Sequence, residues 1–271
     1  MNESLKRAIS GAVYVILLIA STLISQYSFL TLFGLFLLIV TIEFCDLVSL
    51  NKPIAIVISG ILFFLFSFFE ITNSTKYLLI LGSLFVSIKL IYFLVSKSNL
   101  KLDKTSKYVY LIGYIILTII NLTKIPSNIF GFSFKPQMKI SIFILIWTND
   151  TFAYIVGKSI GKNKLFESIS PKKTIEGFIG GLLFTGLVSV LIAKYFIVMP
   201  IYFWLTIAII IGLFGTIGDL IESKFKRNAK VKDSGTIMPG HGGLLDRLDS
   251  VIFVAPYIFL FIQIIQFFTY D

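Results

Sequence analysis

Charged residues are scarce in this sequence. Only 14% of its 271 residues are Asp, Glu, Lys or Arg, whereas a soluble globular domain carries about 25%. Hydrophobic residues make up 56% of the chain, and the mean hydropathy is +0.93. This much apolar surface excludes a soluble fold, but a bilayer can cover it, because a spanning helix needs about 20 mostly apolar residues. The composition therefore predicts an integral membrane protein.

Cysteine and histidine each occur only once. Cys45 has no partner for an intramolecular disulfide, and its apolar surroundings predict a small buried side chain rather than a reactive thiol. The short basic N-terminus precedes an apolar run long enough to remain in the membrane, so we expect no cleavable signal peptide. No internal repeat or low-complexity linker divides the chain, which predicts one integral membrane domain over residues 1–271.

Long apolar runs predict the membrane spans. Backbone N–H and C=O groups have no water to bind in lipid, so these spans should be helices. The expected fold class is all-α, a polytopic transmembrane helical bundle of about nine spans. Their approximate ranges are 9–25, 29–50, 53–69, 76–95, 107–123, 139–159, 174–196, 200–221 and 244–268.

Basic residues are distributed unevenly between the predicted loops. The net charge of +10 would suggest a nucleic-acid ligand in a soluble protein, but in a membrane protein Lys and Arg mark cytoplasmic loops, so we expect no nucleic-acid partner. With the N-terminus inside, the inside segments hold most of the 24 basic residues, which predicts an N-in, C-out protein with an odd number of spans. The inside residues are Lys6, Arg7, Lys52, Lys97, Lys101, Lys104, Lys107, Lys158, Lys162, Lys164, Lys172, Lys173, Lys224, Lys226, Arg227, Lys230, Lys232 and Arg247, and the outside residues are Lys76, Lys124, Lys135, Lys139 and Lys194.

Several acidic residues fall inside predicted spans, where ionisable groups are costly and usually functional. They are Glu43, Asp46, Asp150, Asp219, Asp246 and Asp249. Asp246 and Asp249 are three residues apart and would share one face of a helix. Mg²⁺ suits such oxygen ligands and is usually held by one or two carboxylates plus substrate phosphates. Asp219, on the neighbouring helix, is the third predicted ligand, with Ser223 one turn further on. The alternative interpretation is a pair of carboxylates in salt bridges with Arg247, Lys226 or Arg227.

The segment between the last two predicted spans combines cations with glycine. Residues 223–249, which we call the signature segment, open with five basic residues in nine positions and then become rich in glycine. Glycine lets a backbone approach a phosphate closely and offer its amides. Gly242 and Gly243 stand just before a helix, whose N-terminus favours anions. A basic loop alone is more often a topology signal or a lipid headgroup patch, but together with the carboxylates it predicts a metal–phosphate site.

The signature segment resembles the signature of the phosphatidate cytidylyltransferase family, also called CDP-diglyceride synthases. The residues that match in register are Ser223, Lys226, Arg227, Lys232, Asp233, Gly235, Pro239, His241, Gly242, Gly243, Asp246, Arg247 and Asp249. Met238 departs from the family's usual Ile, Leu or Phe but keeps an apolar side chain. Residues 147–162 and 170–177 resemble the family's central region, with Ile175 where Trp is common, although Ser170 and Pro171 alone also fit a helix start. The resemblance covers roughly residues 145–268.

The resemblance implies a Mg²⁺-dependent transferase of phospholipid synthesis, which converts CTP and phosphatidate to CDP-diacylglycerol and pyrophosphate. It also implies a multi-pass protein of the inner (cytoplasmic) membrane with its active site facing the cytoplasm. Residues 1–137 would form N-terminal helices, and residues 138–271 would form the catalytic helices and the loop within the signature segment. A homodimer is an expectation from the family alone.

Residue roles also follow from the resemblance. Asp219, Asp246 and Asp249 are expected to bind Mg²⁺, with a second cation left open. The residues expected to neutralise the triphosphate and the lipid phosphate are Lys226, Arg227, Lys232 and Arg247. Those expected to contact phosphate or line the site are His241, Gly242, Gly243, Ser223, Lys172 and Asp150. Asp246→Asn is then expected to abolish turnover without unfolding the protein, and Lys97→Ala to change little.

Two alternative functions remain at this stage. A CTP-dependent polyprenol kinase would transfer the γ-phosphate and release CDP, so its products would differ. An ion-coupled transporter would use buried carboxylates as a relay but would not need the basic, glycine-rich segment. A CDP-alcohol phosphotransferase is disfavoured, because the motif of that family begins with Asp-Gly and this sequence has no Asp-Gly.

Overall fold

The structure is a computed structural model that describes residues 3–96, 102–126, 136–196 and 199–270. Three basic residues of the predicted loops, Lys97, Lys101 and Lys135, lie outside these ranges. The helices of the described residues are α1 (Glu3–Ile24), α2 (Gln26–Val48), α3 (Lys52–Phe63), α4 (Asn73–Val95), α5 (Lys104–Tyr110), α6 (Leu117–Lys124), α7 (Gln137–Ile160), α8 (Ile175–Tyr195), α9 (Ile201–Ile210), α10 (Thr216–Asn228) and α11 (Leu245–Tyr270).

Short π-helical segments join or extend some of these helices. They are Phe64–Phe68 after α3, Leu111–Ile116 between α5 and α6, and Ile211–Gly215 between α9 and α10. Helices α5 and α6 therefore form one continuous rod, and so do α9 and α10. Single π turns are common near functional sites, and the last of these segments leads directly into the helix that carries Asp219.

Among the described residues, eight helices are long and apolar enough to cross a membrane, which confirms a polytopic helical bundle. The remaining predicted span, the third one at 53–69, corresponds to the shorter apolar helix Lys52–Phe68. At 1.5 Å per residue this helix is about 25 Å long, slightly less than the roughly 30 Å of a hydrocarbon core.

A small β-hairpin interrupts the helical fold between α7 and α8. Strands β1 (Lys164–Phe166) and β2 (Ser170–Thr174) pair antiparallel. The alternative interpretation of Ser170 and Pro171 as a helix start is therefore wrong. A proline without an N–H is tolerated in a strand with a free edge, and the Thr174 hydroxyl caps α8 by accepting from Gly177 N at 3.1 Å.

The predicted inside segments gather at one end of the bundle, which we call the charged end. Near the start of α1, Ser10 Oγ donates to Pro239 O at 3.0 Å. At the end of α4, the carbonyl of Ser96 accepts from Lys224 Nζ at 2.7 Å, and Arg227 Nε donates to the hairpin carbonyl of Ile169 at 3.3 Å. Eight long apolar helices and the shorter apolar helix Lys52–Phe68 are approximately consistent with the predicted count of about nine spans, and the odd number of spans stays a prediction.

Glycines allow α7 and α8 to pack backbone against backbone. A Cβ at Gly177 would lie 2.6 Å from the carbonyl oxygen of Ala153, and one at Gly181 would lie 2.9 Å from that of Asn149. Both distances are too short for a real side chain, so any larger residue would push the helices apart. This close contact positions the part of α7 that carries Asp150.

Candidate active site

A cavity of about 620 Å³ opens at the charged end between α7, the β-hairpin and α10. Asp150 and Asp219 contribute carboxylates to its wall. Its basic side chains are Lys158, Lys164, Lys172 and Lys173. Because lysines outnumber carboxylates, the cavity is suited to a polyanionic ligand, and its volume is within the usual range for a small-molecule site.

Three carboxylates from three helices form an acidic centre beside the cavity. Asp249 of α11 interacts electrostatically with Asp219 of α10 and Asp150 of α7, with Lys173 as the compensating cation. Lys173 Nζ lies 2.5 Å from Asp219 Oδ2, and Ser223 Oγ donates to Asp219 Oδ1 at 3.3 Å. Lys173 contacts this group of Asp150, Asp219 and Asp249, and Arg247 also interacts electrostatically with Asp150.

A glycine brings the last two members of the acidic centre together. A Cβ at Gly218 would lie 2.8 Å from the carbonyl oxygen of Asp249 and 2.6 Å from Cβ of Phe253. Helices α10 and α11 therefore touch at Gly218, and the neighbouring Asp219 meets Asp249 across this contact.

A second charged cluster lies below the loop that joins α10 to α11. Lys226 Nζ is 2.6 Å from both Glu222 Oε2 and Asp246 Oδ1, and the side chains of Glu222 and Asp246 are 1% and 6% exposed. The other oxygen of Asp246 accepts from the backbone N–H groups of Ser234 at 2.9 Å and Gly243 at 2.8 Å. Both oxygens of Asp246 thus have protein partners.

Asp246 and Lys226 lie in this second cluster and not in the lining of the cavity, and their predicted roles stay predictions. The described residues contain no group of three or more His, Cys, Asp or Glu placed to hold a metal ion. The joint binding of Mg²⁺ by Asp219, Asp246 and Asp249 stays a prediction. Asp246 lies in the first turn of α11 and faces loop amides, whereas Asp249, one turn deeper, faces α10. Lys226 is enclosed by two carboxylates rather than pointing at the cavity, because a buried ammonium needs such partners.

Residues 229–244, which we call the signature loop, pack against α1. His241 Nδ1 lies 2.7 Å from Ser10 Oγ, and the carbonyl of His241 accepts from Arg247 Nη2 at 3.1 Å. Burial and the nearby positive charges of Arg247 and Arg7 lower the pKa of His241 below its usual value. Gly242 has a φ of +91°, which an L side chain rarely adopts, and a Cβ there would lie 2.8 Å from Asp246 Oδ2.

An apolar groove of about 570 Å³ runs between α1, α2 and the signature loop. Its walls include Ile9, Val13 and Leu17, and Lys6 is its one lysine. Tyr14 also lines the groove, donates a long hydrogen bond to the carbonyl of Arg247 (3.5 Å), and interacts electrostatically with members of the acidic centre. The groove therefore ends close to the acidic centre.

The remaining predicted residues are distributed around these features. Lys232 and Arg227 are exposed at the charged end, and the carbonyl of Ile169 is the hydrogen-bond acceptor of Arg227. Sequence reasoning selected Lys172 but missed its neighbour Lys173, although both stand in the same quoted motif. Other contributors that it missed are Lys158, Lys164, Glu222 and Ser234. Glu222 had a detectable signal, because it precedes Lys226 by four residues on a helix.

The fold and the site place this protein in the class of polytopic helical membrane proteins, with a lysine-lined cavity suited to a charged ligand beside an apolar groove. The sequence model of the Cytidylyltransferase family matches residues 5–265, and the chain belongs to this family. The resemblance found in the sequence is thereby confirmed.

Curated relatives match part of this chain. The phosphatidate cytidylyltransferase of Staphylococcus aureus (strain COL) is 54% identical over 116 residues, which is 42% of this chain and 44% of that protein. The protein of the same name from Staphylococcus saprophyticus is 52% identical over 125 residues, 45% of this chain and 48% of that protein. The matched stretch thus spans about half the length of each relative.

Proposed function

We propose that the protein is a phosphatidate cytidylyltransferase, which converts CTP and phosphatidate to CDP-diacylglycerol and pyrophosphate. The observation that carries the proposal is a cavity lined by lysines and aspartates that lies beside an apolar groove at the same end of the bundle. Such a pair of sites suits one water-soluble polyanion and one lipid. The family and the names of the two Staphylococcus relatives support the same reaction.

CTP is assigned to the cavity. Lys158, Lys164, Lys172 and Lys173 line it and would neutralise the triphosphate. Phosphoryl transfer depends mainly on positioning and on stabilising charge as the leaving group departs. The cavity lysines supply such charge without being consumed in the reaction.

A Mg²⁺ ion is part of the proposal. The acidic centre brings three interacting carboxyl groups together near Lys173 and Arg247, and oxygen ligands of this kind suit a divalent ion. Asp219 and Asp249 would hold Mg²⁺ together with phosphate oxygens, as is usual for this ion. When bound, the ion would neutralise charge on the triphosphate. Asp246 is not assigned to it, because its oxygens are occupied by Lys226, Ser234 and Gly243.

Phosphatidate is assigned to the apolar groove. One acyl chain would lie along Ile9, Val13 and Leu17, with Lys6 near the phosphate. A phosphate oxygen of the lipid would attack the α-phosphorus of CTP, and the bond to the bridging oxygen of pyrophosphate would break. A phosphate monoester is already ionised at neutral pH, so no side chain is assigned as a general base.

The orientation of the site is also a proposal. The charged end gathers the basic loops, and such loops usually face the cytoplasm, where CTP is available. We therefore place the cavity at the cytoplasmic face of the inner (cytoplasmic) membrane. The homodimer and the second cation stay predictions.

A product assay tests the proposed function. The full chain in mild detergent receives CTP labelled at the α-phosphate, phosphatidate and Mg²⁺, and the lipid fraction is then resolved. Labelled lipid, released pyrophosphate and loss of both with EDTA are expected. Release of CDP with polyprenol as the acceptor would instead identify a lipid kinase, and no product with either acceptor would favour the transporter.

A further inference from the structure

Glu43 of α2 is a buried carboxylate bound to the signature loop. It is 6% exposed. Its Oε1 accepts from Leu244 N at 2.9 Å, and its Oε2 accepts from Leu245 N at 2.7 Å and from Ser234 Oγ at 3.1 Å. Across the described ranges, none of the ion pairs involves Glu43. Backbone amides and one hydroxyl therefore satisfy this carboxylate.

Two of these donors are amides at the start of α11. The first N–H groups of a helix have no partner within the helix, and a negative charge is favoured there. Leu244 and Leu245 thus receive their cap from a residue about 200 positions earlier in the chain. Such a cap sets the point at which α11 begins and the rotation with which it leaves the loop.

Glu43 and Asp246 hold the loop from two sides. The Ser234 hydroxyl lies 3.1 Å from Glu43 Oε2 and 3.0 Å from Asp246 Oδ2. Because a hydroxyl has one proton, it donates to one carboxylate at a time, while Ser234 N donates to Asp246 at 2.9 Å. A Cβ at Gly235 would lie 2.5 Å from Glu43 Oε1, and one at Gly243 would lie 2.6 Å from Oε2, so the loop glycines permit this close approach.

We infer that Glu43 is a positioning residue, which holds the signature loop and the start of α11 so that Asp249 meets the acidic centre. Glu43 lines neither the cavity nor the groove, so it acts through the loop rather than on the substrates. Asp249 lies one helical turn after Leu245, and a change in where α11 starts would therefore displace its carboxylate. The kinetic part of this inference rests on the proposed function.

Substitution of Glu43 tests the inference, with Asp46 as the matched control. Asp46 lies one turn further along the same helix, and its exposed carboxylate pairs with Lys52 at 2.6 Å. Backbone hydrogen exchange and steady-state kinetics are measured for Glu43→Gln, Glu43→Asp and Asp46→Asn in the full chain. In Glu43→Gln, the amide group that replaces one carboxylate oxygen would face an N–H or O–H donor.

For Glu43→Gln we expect faster exchange confined to residues 234–249 and at least a tenfold lower kcat, with much smaller changes in either KM. Glu43→Asp keeps the charge, so its exchange rates and its kcat should lie between those of Glu43→Gln and the wild type. Asp46→Asn should match the wild type in both measurements. Ser234→Ala should accelerate exchange in the same residues by less, and its effect should not add fully to that of Glu43→Gln.

Three results would overturn the inference. One is unchanged exchange in residues 234–249, whatever happens to kcat. Another is faster exchange spread over the whole bundle, which would make Glu43 a residue of general stability. A third is fully additive effects of Glu43→Gln and Ser234→Ala on exchange. If the wild type itself lacked cytidylyltransferase activity, the proposed function would fail, while the exchange data would still decide the role of Glu43.

Discussion

Asp246 and Asp249 lie three residues apart on α11, and the structure predicts opposite consequences when each is changed to Asn. Asp246 pairs with buried Lys226 at 2.6 Å and caps two loop amides. Removing one partner of a buried pair costs about 3–5 kcal/mol, but Lys226 keeps Glu222 at 2.6 Å. We therefore expect Asp246→Asn to lower the free energy of unfolding by about 2–3 kcal/mol.

For a chain of this size each kcal/mol changes the melting temperature by about 2–4 °C, so Asp246→Asn should melt about 4–12 °C below the wild type. Asp249 instead interacts with the like charges of Asp219 and Asp150. Neutralising it relieves repulsion, so Asp249→Asn should melt at or above the wild-type temperature. It should nevertheless lose nearly all turnover, because it removes a proposed Mg²⁺ ligand.

Thermal unfolding in detergent, followed by the product assay on the same preparations, measures both effects. The sequence predicted that Asp246→Asn acts without unfolding the protein, and the hydrogen bonds of Asp246 to the loop add a loss of stability to that prediction. A melting temperature of Asp246→Asn equal to that of the wild type would refute the reasoning. So would an Asp249→Asn variant that is less stable than Asp246→Asn.

Three further predictions concern the cavity, the groove and the signature loop. Lys173→Ala should raise the KM for CTP at least tenfold in steady-state assays, because Lys173 lines the cavity. The control Lys162→Ala, outside the cavity lining, should leave this KM unchanged. Equal effects of the two substitutions would argue against the assignment of CTP to the cavity. Ile9→Trp should fill the groove and raise the KM for phosphatidate several-fold without raising the KM for CTP. The control Ile16→Trp, at a 63% exposed position, should raise neither KM. An unchanged KM for phosphatidate in Ile9→Trp would place the lipid elsewhere. The pKa of His241 is lower in the folded protein than in the unfolded chain. Between these two pKa values the unfolded chain therefore binds more protons than the folded protein. The stability that neutral His241 contributes is thus present above the unfolded pKa and is lost as the pH falls through the folded pKa. The melting temperature of the wild type should therefore fall relative to that of His241→Gln as the pH is lowered from about 8 to 5, and parallel curves would contradict this.

Features that depend on local sequence were predictable. Each span is a continuous apolar run, so hydropathy located the helices, including the short one at Lys52–Phe68. The charges of the loops identified the segments that meet at the charged end, because each additional span moves the chain to the other side. The β-hairpin at Lys164–Thr174 was missed, since the start of its second strand, Ser170 and Pro171, also carries the residue types of a helix start.

The different binding partners of Asp246 and Asp249 were not predictable from local sequence. Helical spacing puts Asp246 and Asp249 on one face, yet their partners differ because different elements approach each turn. Asp246 meets Lys226 and the loop amides, whereas Asp249 meets α10 where Gly218 permits contact. Two carboxylates on one face of a helix therefore have different partners and different expected roles.

The sequence by itself determined the membrane architecture, the common location of the basic loops and the family, because each of these follows from composition or from a linear motif. Only the tertiary structure decided which groups meet. It joined Lys173 to Asp219 across two elements, and it brought Glu43 against the start of α11. The physical reason is that hydropathy acts over one segment of chain, whereas hydrogen bonds and ion pairs act over about 3 Å, between groups that only the packed helices bring together.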